Sequence, residues 1–286
     1  MNNKKVLITG ANGQLGLALQ KLFPNAECVD LDTFNISDPS AYSSRNWSEY
    51  GLILNAAAYT NVDGAETPEG RVISWQANAT AIMLLSKVCT ANNITLVHVS
   101  SDYVFDGTKT PHKEDEQYSP LGVYGQTKAA GDIAASLTPQ HYIVRTSWVV
   151  GKGKNFIKIM KDLANKSIKP NVVNDQIGRL TFTEDLANAI YHLVSTNQPY
   201  GVYNCTNEGP LTSWADIAQI VYKEYGHNPQ DVTGVPTTTY YAGKEGIAPR
   251  PLNSQLDLTK IKATGFTPRN WQNALNDYFI ELESQN

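Results

Sequence analysis

Short apolar runs alternate with segments of helical period through the first half of the chain. Lys5–Thr9 reads Lys-Val-Leu-Ile-Thr and stops at Gly10, which predicts a strand. Glu27–Leu31, Leu52–Asn55, Thr95–Ser100 and Tyr142–Thr146 read the same way. Between them the period predicts helices over Gln14–Leu22, Gly70–Asn92 and Tyr124–Leu137. Strand–helix alternation of this kind implies right-handed crossovers and a parallel sheet. The second half is more mixed. Asn155–Asn165, Thr183–Ser195, Ser213–Tyr225 and Trp271–Leu282 read as helices, with short strands such as Val202–Asn204 and a Pro-punctuated stretch over Gly234–Pro251. The pattern divides the chain into an α/β unit over residues 1–150 and a smaller region over 151–286, some of whose elements return to the first sheet.

Composition narrows the class. A chain of 286 residues, 41% hydrophobic, buries a large core and needs no disulfide or metal staple. Its 20 glycines and 14 prolines are near average, which excludes collagen-like and low-complexity chains. The 23 basic and 27 acidic residues give a net charge of −4 with no basic cluster, which argues against a nucleic-acid partner. No run approaches the ~18 apolar residues of a membrane span, and the short apolar strand before Gly10 is not a signal peptide. Three cysteines without a Cys-x-x-Cys motif suit free thiols in a reducing cytoplasm.

The first strand runs into Gly10-Ala-Asn-Gly13-Gln-Leu-Gly16, which opens the first helix. Glycines in that place permit a tight turn, close approach of backbone to a pyrophosphate, and close packing of helix on strand. The helix N-terminus adds N–H groups and a positive dipole. The order predicts a Rossmann-like, doubly wound parallel sheet that binds a nicotinamide dinucleotide. Asp30 lies at the end of the second strand, where an acid accepts hydrogen bonds from the adenosine ribose and repels a 2′-phosphate. Asp32 is near, and Thr33 and Phe34 follow instead of an arginine, which favours NADH over NADPH. The alternative is that these acids are solvated turn residues.

The strand over Thr95–Ser100 leads into Ser101-Asp102-Tyr103, and Tyr124-Gly-Gln-Thr-Lys128 follows. On a helix Tyr124 and Lys128 share a face. An ammonium beside a phenol stabilises the phenolate, and a tyrosine so tuned exchanges a proton with a carbonyl oxygen. Ser101, at a strand's C-terminal end, is placed to hydrogen-bond the same oxygen. With 15 tyrosines in the chain, Tyr-x-x-x-Lys alone is uninformative. Its order after a glycine loop and a serine strand end is what makes it specific.

These residues resemble the extended short-chain dehydrogenase/reductases. Asn55-Ala-Ala-Ala-Tyr-Thr-Asn-Val-Asp63-Gly-Ala-Glu66, Ser101–Gly107, Arg145-Thr-Ser-Trp-Val149, Gly153-Lys-Asn-Phe156, Asp175-Gln-Ile-Gly178 and Arg250-Pro-Leu-Asn-Ser254 resemble, in order, the dTDP-4-dehydrorhamnose reductase family. The resemblance implies reduction of dTDP-4-dehydro-L-rhamnose to dTDP-L-rhamnose with NADH or NADPH. It makes Ser101, Tyr124 and Lys128 the catalytic set. It places Gly10, Gly13, Gln14, Leu15 and Gly16 on the pyrophosphate, Asn35 and Ile36 beside the adenine, and Ala56, Ala57, Ala58, Tyr59 and Val99 along the ribose and nicotinamide. It assigns Ser101, Asp102, Tyr103, Trp148, Asn155, Phe156 and Arg250 to the nucleotide sugar. The plain alternatives are packed core for the alanines and Trp148, and a surface ion pair for Arg250.

Two departures from the family stand out. Leu180-Thr181-Phe182 replaces the usual Pro-Thr-Tyr, and Ala18 stands where metal-linked dimers of the family carry a glutamate. No metal is therefore expected, and the chain is expected to be a monomer or homodimer. Two rivals remain: a reductase of another nucleotide-linked 4-ketosugar, and a non-catalytic regulatory subunit such as the one that partners methionine adenosyltransferase.

Overall fold

The computed structural model describes residues 4–284. Its strands are β1 (Lys5–Thr9), β2 (Glu27–Val29), β3 (Tyr50–Asn55), β4 (Thr95–Ser101), β5 (His141–Thr146), β6 (Val149–Val150), β7 (Asn171–Val173), β8 (Ile177–Gly178), β9 (Thr181–Phe182), β10 (Gly201–Asn204), β11 (Thr212–Ser213) and β12 (Thr233–Val235). Its helices are α1 (Gln14–Leu22), α2 (Pro68–Trp75), α3 (Ala81–Asn92), α4 (Val123–Ser136), α5 (Phe156–Asn165), α6 (Thr183–Ser195), α7 (Trp214–Glu224), α8 (Thr237–Tyr240), α9 (Thr259–Ala263) and α10 (Trp271–Ser284).

Six strands form one parallel sheet in the order β10-β5-β4-β3-β1-β2. Consecutive residues of each central strand point to opposite faces, and both faces are covered. Ile8, Leu54, Val97 and Val144 pack with Leu19 of α1 and Leu186 and Ile190 of α6. Leu7, Ile53, Leu96 and Ile143 pack with Ile82, Leu85 and Cys89 of α3. The chain leaves β1 toward β2 on one side and enters β3 on the other. The crevice at the C-terminal ends of β1 and β3 is thus the topological switch point, where such sheets bind ligands. A separate core joins α5, α7 and α10 around Met160, Val221, Trp271 and Phe279.

Several elements shift by one or two residues from the expected spans, and two differences bear on the site. The strand expected over Glu27–Leu31 ends at Val29, because the Asp30 carboxylate accepts the Leu31 N–H and a turn closes from Asp30 to Thr33. The helix expected over Gly70–Asn92 begins at Pro68 behind the Thr67 cap and is interrupted by a π-helical turn, Gln76–Thr80. That turn carries Asn78 inward. Its amide bonds both the N–H and the carbonyl of Tyr59, and it also donates to Thr127 Oγ1 at 3.1 Å.

Helix α4 is pressed close to its surroundings through glycines. A Cβ at Gly125 would lie 2.2 Å from the Tyr103 carbonyl oxygen, and one at Gly131 would lie 2.2 Å from that of Asn78. Any larger side chain at either place would push α4 away from the turn after β4 or from the π turn.

Candidate active site

At the end of β1 the chain turns through Gly10 in a left-handed conformation (φ +66°), and a Cβ there would lie 2.6 Å from the Ala57 backbone. Only glycine fits, because the loop must cross the exit of β3 at van der Waals distance. Beside it is a cavity of about 400 Å³ lined by Gly10, Gly13, Asp30, Asn35, Ile36, Ala56, Ala57, Ala58 and Tyr59, among others. Asp30 Oδ2 accepts the Asn12 N–H at 2.8 Å, which ties the acid to the glycine loop. Asn35 accepts the Ser37 N–H at 3.0 Å and is oriented by it.

The other three residues expected on the pyrophosphate open α1, and their side chains lie away from this cavity, which leaves backbone N–H groups as their means of contact. The Leu15 side chain belongs to the sheet core, because it sits on the buried face of α1. Gly16 packs on the loop itself, where a Cβ would lie 2.2 Å from the Gly10 carbonyl oxygen. Gln14 lines a second cavity, of about 290 Å³, among α1, α6 and α10, with its Oε1 buried and unpartnered.

The catalytic candidates converge where the C-terminal end of β4 meets the first two turns of α4. Ser101 closes β4; its hydroxyl donates to Asp102 Oδ1 at 3.1 Å and accepts the Tyr103 N–H at 3.2 Å. Tyr124 lies in the first turn of α4, and the Tyr103 ring meets it edge-on at 5.4 Å. One turn later Lys128 is buried and donates to the Val99 carbonyl at 2.8 Å. A further turn on, Asp132 accepts from Arg145 Nε at 3.0 Å, and Arg145 also donates to the Tyr118 hydroxyl and the Glu114 carbonyl.

Burial dominates the electrostatics. It pulls the Lys128 ammonium down to about 8, with the Asp132 carboxylate opposing it. It pushes Asp102 up to about 6, against the hydroxyls of Ser254 and Ser101. It pushes Tyr124 up to about 12, with the Ser101 hydroxyl opposing and the Asp102 and Asp132 carboxylates adding to the rise. This corrects the expectation that Lys128 depresses Tyr124. The Lys128 Nζ donates to the Val99 carbonyl, and burial of the phenol raises Tyr124 instead.

On the substrate side, Trp148 adopts a left-handed backbone (φ +48°), with its ring stacked on Trp214 at 4.0 Å. Phe156 packs on the same Trp214 at 4.6 Å. Arg250 donates to Asp63 at 2.8 Å and to the Ala248 carbonyl at 2.7 Å, and its guanidinium lies over the Tyr241 ring. Asn155 is not brought to this group. It caps α5 by accepting the Lys158 N–H, and its amide donates to the Gly151 carbonyl and the Tyr278 hydroxyl.

The chain matches the model of the RmlD substrate binding domain over residues 4–284. It belongs to the RmlD family. A dTDP-4-dehydrorhamnose reductase of Aggregatibacter actinomycetemcomitans is 37% identical over 96% of this chain and 97% of its own length. A probable dTDP-4,6-dihydroxy-2-methyloxan-3-one 4-ketoreductase of Streptomyces antibioticus is 36% identical, covering 96% and 95%. A crystal structure of dTDP-4-dehydrorhamnose reductase from Bacillus anthracis in complex with NADP is 32% identical, with a TM-score of 0.88 over 98% of this chain and 99% of that one.

Within this RmlD-family site, sequence reasoning passed over Asn78, Trp214 and Asp132. Asp132 was visible in principle, four residues beyond Lys128 on the same helical face. Asn78 and Trp214 carried no signal, since a π turn and a stack between distant segments leave no local pattern. Among the described residues no three His, Cys, Asp or Glu side chains gather as a metal site, and no helix is long and apolar enough to cross a membrane.

Replacing Asn155 by Ala should cost roughly 1–2 kcal/mol of stability, the usual scale for a lost cap and buried hydrogen bonds. Binding of dTDP should be unchanged. Denaturant titration and calorimetry check both, and weakened dTDP binding at full stability would return Asn155 to the ligand site.

Proposed function

We propose that this chain reduces the 4-keto group of dTDP-4-dehydro-L-rhamnose to give dTDP-L-rhamnose. The observation that carries the reading is the convergence of Ser101, Tyr124 and Lys128 at the C-terminal mouth of a parallel sheet, beside a nucleotide-sized cleft, in an RmlD-family chain. A reduced nicotinamide dinucleotide supplies the hydride when bound. The cleft suits its adenosine half: Asn35, Ile36 and the Ala56–Ala58 backbone flank a base, and Asp30 faces a ribose. Gly10, Gly13 and the start of α1 would take the pyrophosphate, and Tyr59 and Val99 would form the wall toward the nicotinamide.

Tyr124 keeps its proton at neutral pH and donates it to the ketone oxygen as negative charge develops there. Ser101 hydrogen-bonds that oxygen and stabilises the charge. Lys128 brings a cation one turn along α4, anchored on the Val99 carbonyl. Trp148, backed by Trp214, offers a flat face to the deoxyhexose. Asp102 lies on Ser101 and Tyr103 on Tyr124, at the reacting end of the sugar, Phe156 buttresses the aromatic stack, and Arg250 suits the diphosphate because its donor fork matches phosphate oxygens. We assign residues 151–286 to the substrate side, apart from α6 and β10, which return to the sheet.

Reduction of another dTDP-linked 4-ketosugar is the second reading, favoured by the 36% identity to the Streptomyces antibioticus protein. NADH oxidation measured across several 4-ketosugars decides between them, and no turnover on any would leave a regulatory role.

Three outcomes are expected. Tyr124→Phe should retain NADH binding and lose ~10²–10⁴-fold in kcat, the usual share of general acid catalysis; near-normal turnover would remove Tyr124 as donor. The kcat/KM profile should fall as pH rises through about 8, where buried Lys128 loses its proton, while Tyr124 stays protonated to about 12. Constant kcat/KM well above that point would show that the ammonium is not needed. NADH should give a higher kcat/KM than NADPH, because the Asp30 carboxylate lines the adenosine cavity and Arg45 is held in an ion pair with Glu27; the reverse preference would overturn this.

A further inference from the structure

The sequence motif Asn55–Glu66 contains two acids, Asp63 and Glu66, that the mechanism above leaves unused. The structure puts them to work on opposite sides of the site. The N-cap of helix α4 is Gly122, which has no side chain to cap it. The cap comes instead from Glu66, whose Oε1 accepts the Val123 N–H at 2.8 Å. Val123 immediately precedes Tyr124. The contact is tight, since a Cβ on Gly122 would lie 2.7 Å from that same oxygen. Three residues earlier, Asp63 Oδ2 accepts from Arg250 at 2.8 Å and Oδ1 accepts the Ala248 N–H at 3.0 Å.

The segment between them is rigid. Asn61 accepts the Gly64 N–H through its side chain and the Ala65 N–H through its carbonyl, and Ala65 is fully buried. A Cβ at Gly64 would lie 2.6 Å from the Tyr59 hydroxyl, so the segment also rests on the cofactor wall. Thr67 then caps α2 by accepting the Gly70 N–H.

We propose that Glu66 and Asp63 are positioning residues: the 61–66 segment is a clamp that sets Tyr124, at the start of α4, at a fixed distance from Arg250. The proposal deepens the reading of Tyr124 as proton donor and Arg250 as diphosphate ligand, and rests on it. Glu66 acts through its acceptor oxygen, not its charge. A glutamine, which keeps that oxygen, should therefore serve as well. Asp63 orients the guanidinium, so that Asp63→Asn should raise KM for the nucleotide sugar more than it lowers kcat.

The test compares Glu66→Ala with Glu66→Gln in the full chain. Glu66→Ala should lose roughly tenfold in kcat, because small misplacements of a proton donor are costly, with NADH affinity unchanged. Glu66→Gln should stay within about twofold of wild type, with the kcat/KM pH profile unmoved. Gly122→Ala disturbs the same contact from the helix side and should repeat the kcat loss, which keeps the test open if Glu66→Ala folds poorly. Hydrogen exchange at the Val123 amide reads the cap without reference to turnover: protection should fall in Glu66→Ala and persist in Glu66→Gln. Full kcat in Glu66→Ala and Gly122→Ala, or equal impairment of both Glu66 variants, would overturn the clamp. If the amide results hold but Tyr124→Phe is fully active, the donor assignment fails while the cap stands.

Discussion

A lysine side chain with 2% exposure is the constraint on which the site depends. An ammonium taken out of water needs partners, and each partner here fixes a different element. The Val99 carbonyl binds it to β4, and the Asp132 carboxylate lies one turn along α4. Asp132 in turn holds Arg145 of β5, which reaches the Glu114 carbonyl and the Tyr118 hydroxyl in the loop before α4. One buried charge thereby registers a helix, two strands and a loop. Tyr124 rides on the same helix, so its place is set by the network that accommodates Lys128.

Close backbone approach makes that network possible. The glycines of α4 let it settle against the turn after β4 and the π segment before α3. The π turn is a departure from regular helix that aims Asn78 at Tyr59 and Thr127, so the segment after β3 and helix α4 share one amide. Irregular helix of this kind concentrates at functional sites because it redirects side chains that a regular helix would leave facing elsewhere. The clamp over Asn61–Glu66 adds a third tie, from the helix start to the segment that carries Arg250.

The two halves of the chain meet through aromatic and polar contacts of a different kind. Trp148 leaves the sheet in a left-handed conformation and stacks on Trp214, and both rings pack against the α5–α7–α10 core. Thr181 N–H donates to the Trp148 carbonyl and holds it there. Leu180, Thr181 and Phe182, which the sequence resemblance marked as a departure, are all buried, and the Phe182 ring contacts Tyr278 at 5.7 Å. The altered segment is thus absorbed into the packing beside the site.

Local patterning determined a good deal. β1, α1 and α6 match their expected residues end to end, because buried two-faced strands and amphipathic helices write their period into the chain. The glycine loop and the Tyr124/Lys128 spacing were legible because they follow from backbone sterics and the helical repeat. Only the tertiary structure decided the rest. Asn155 reads as a ligand candidate until its amide is found bound to Gly151 and Tyr278, the latter 123 positions away. Lys128 reads as a tyrosine activator until the burial of Tyr124 is known, and desolvation of the phenol then raises Tyr124 instead. Hydrogen bonds between distant segments and the loss of water around a charge depend on what the fold brings together, and a one-dimensional pattern does not contain either.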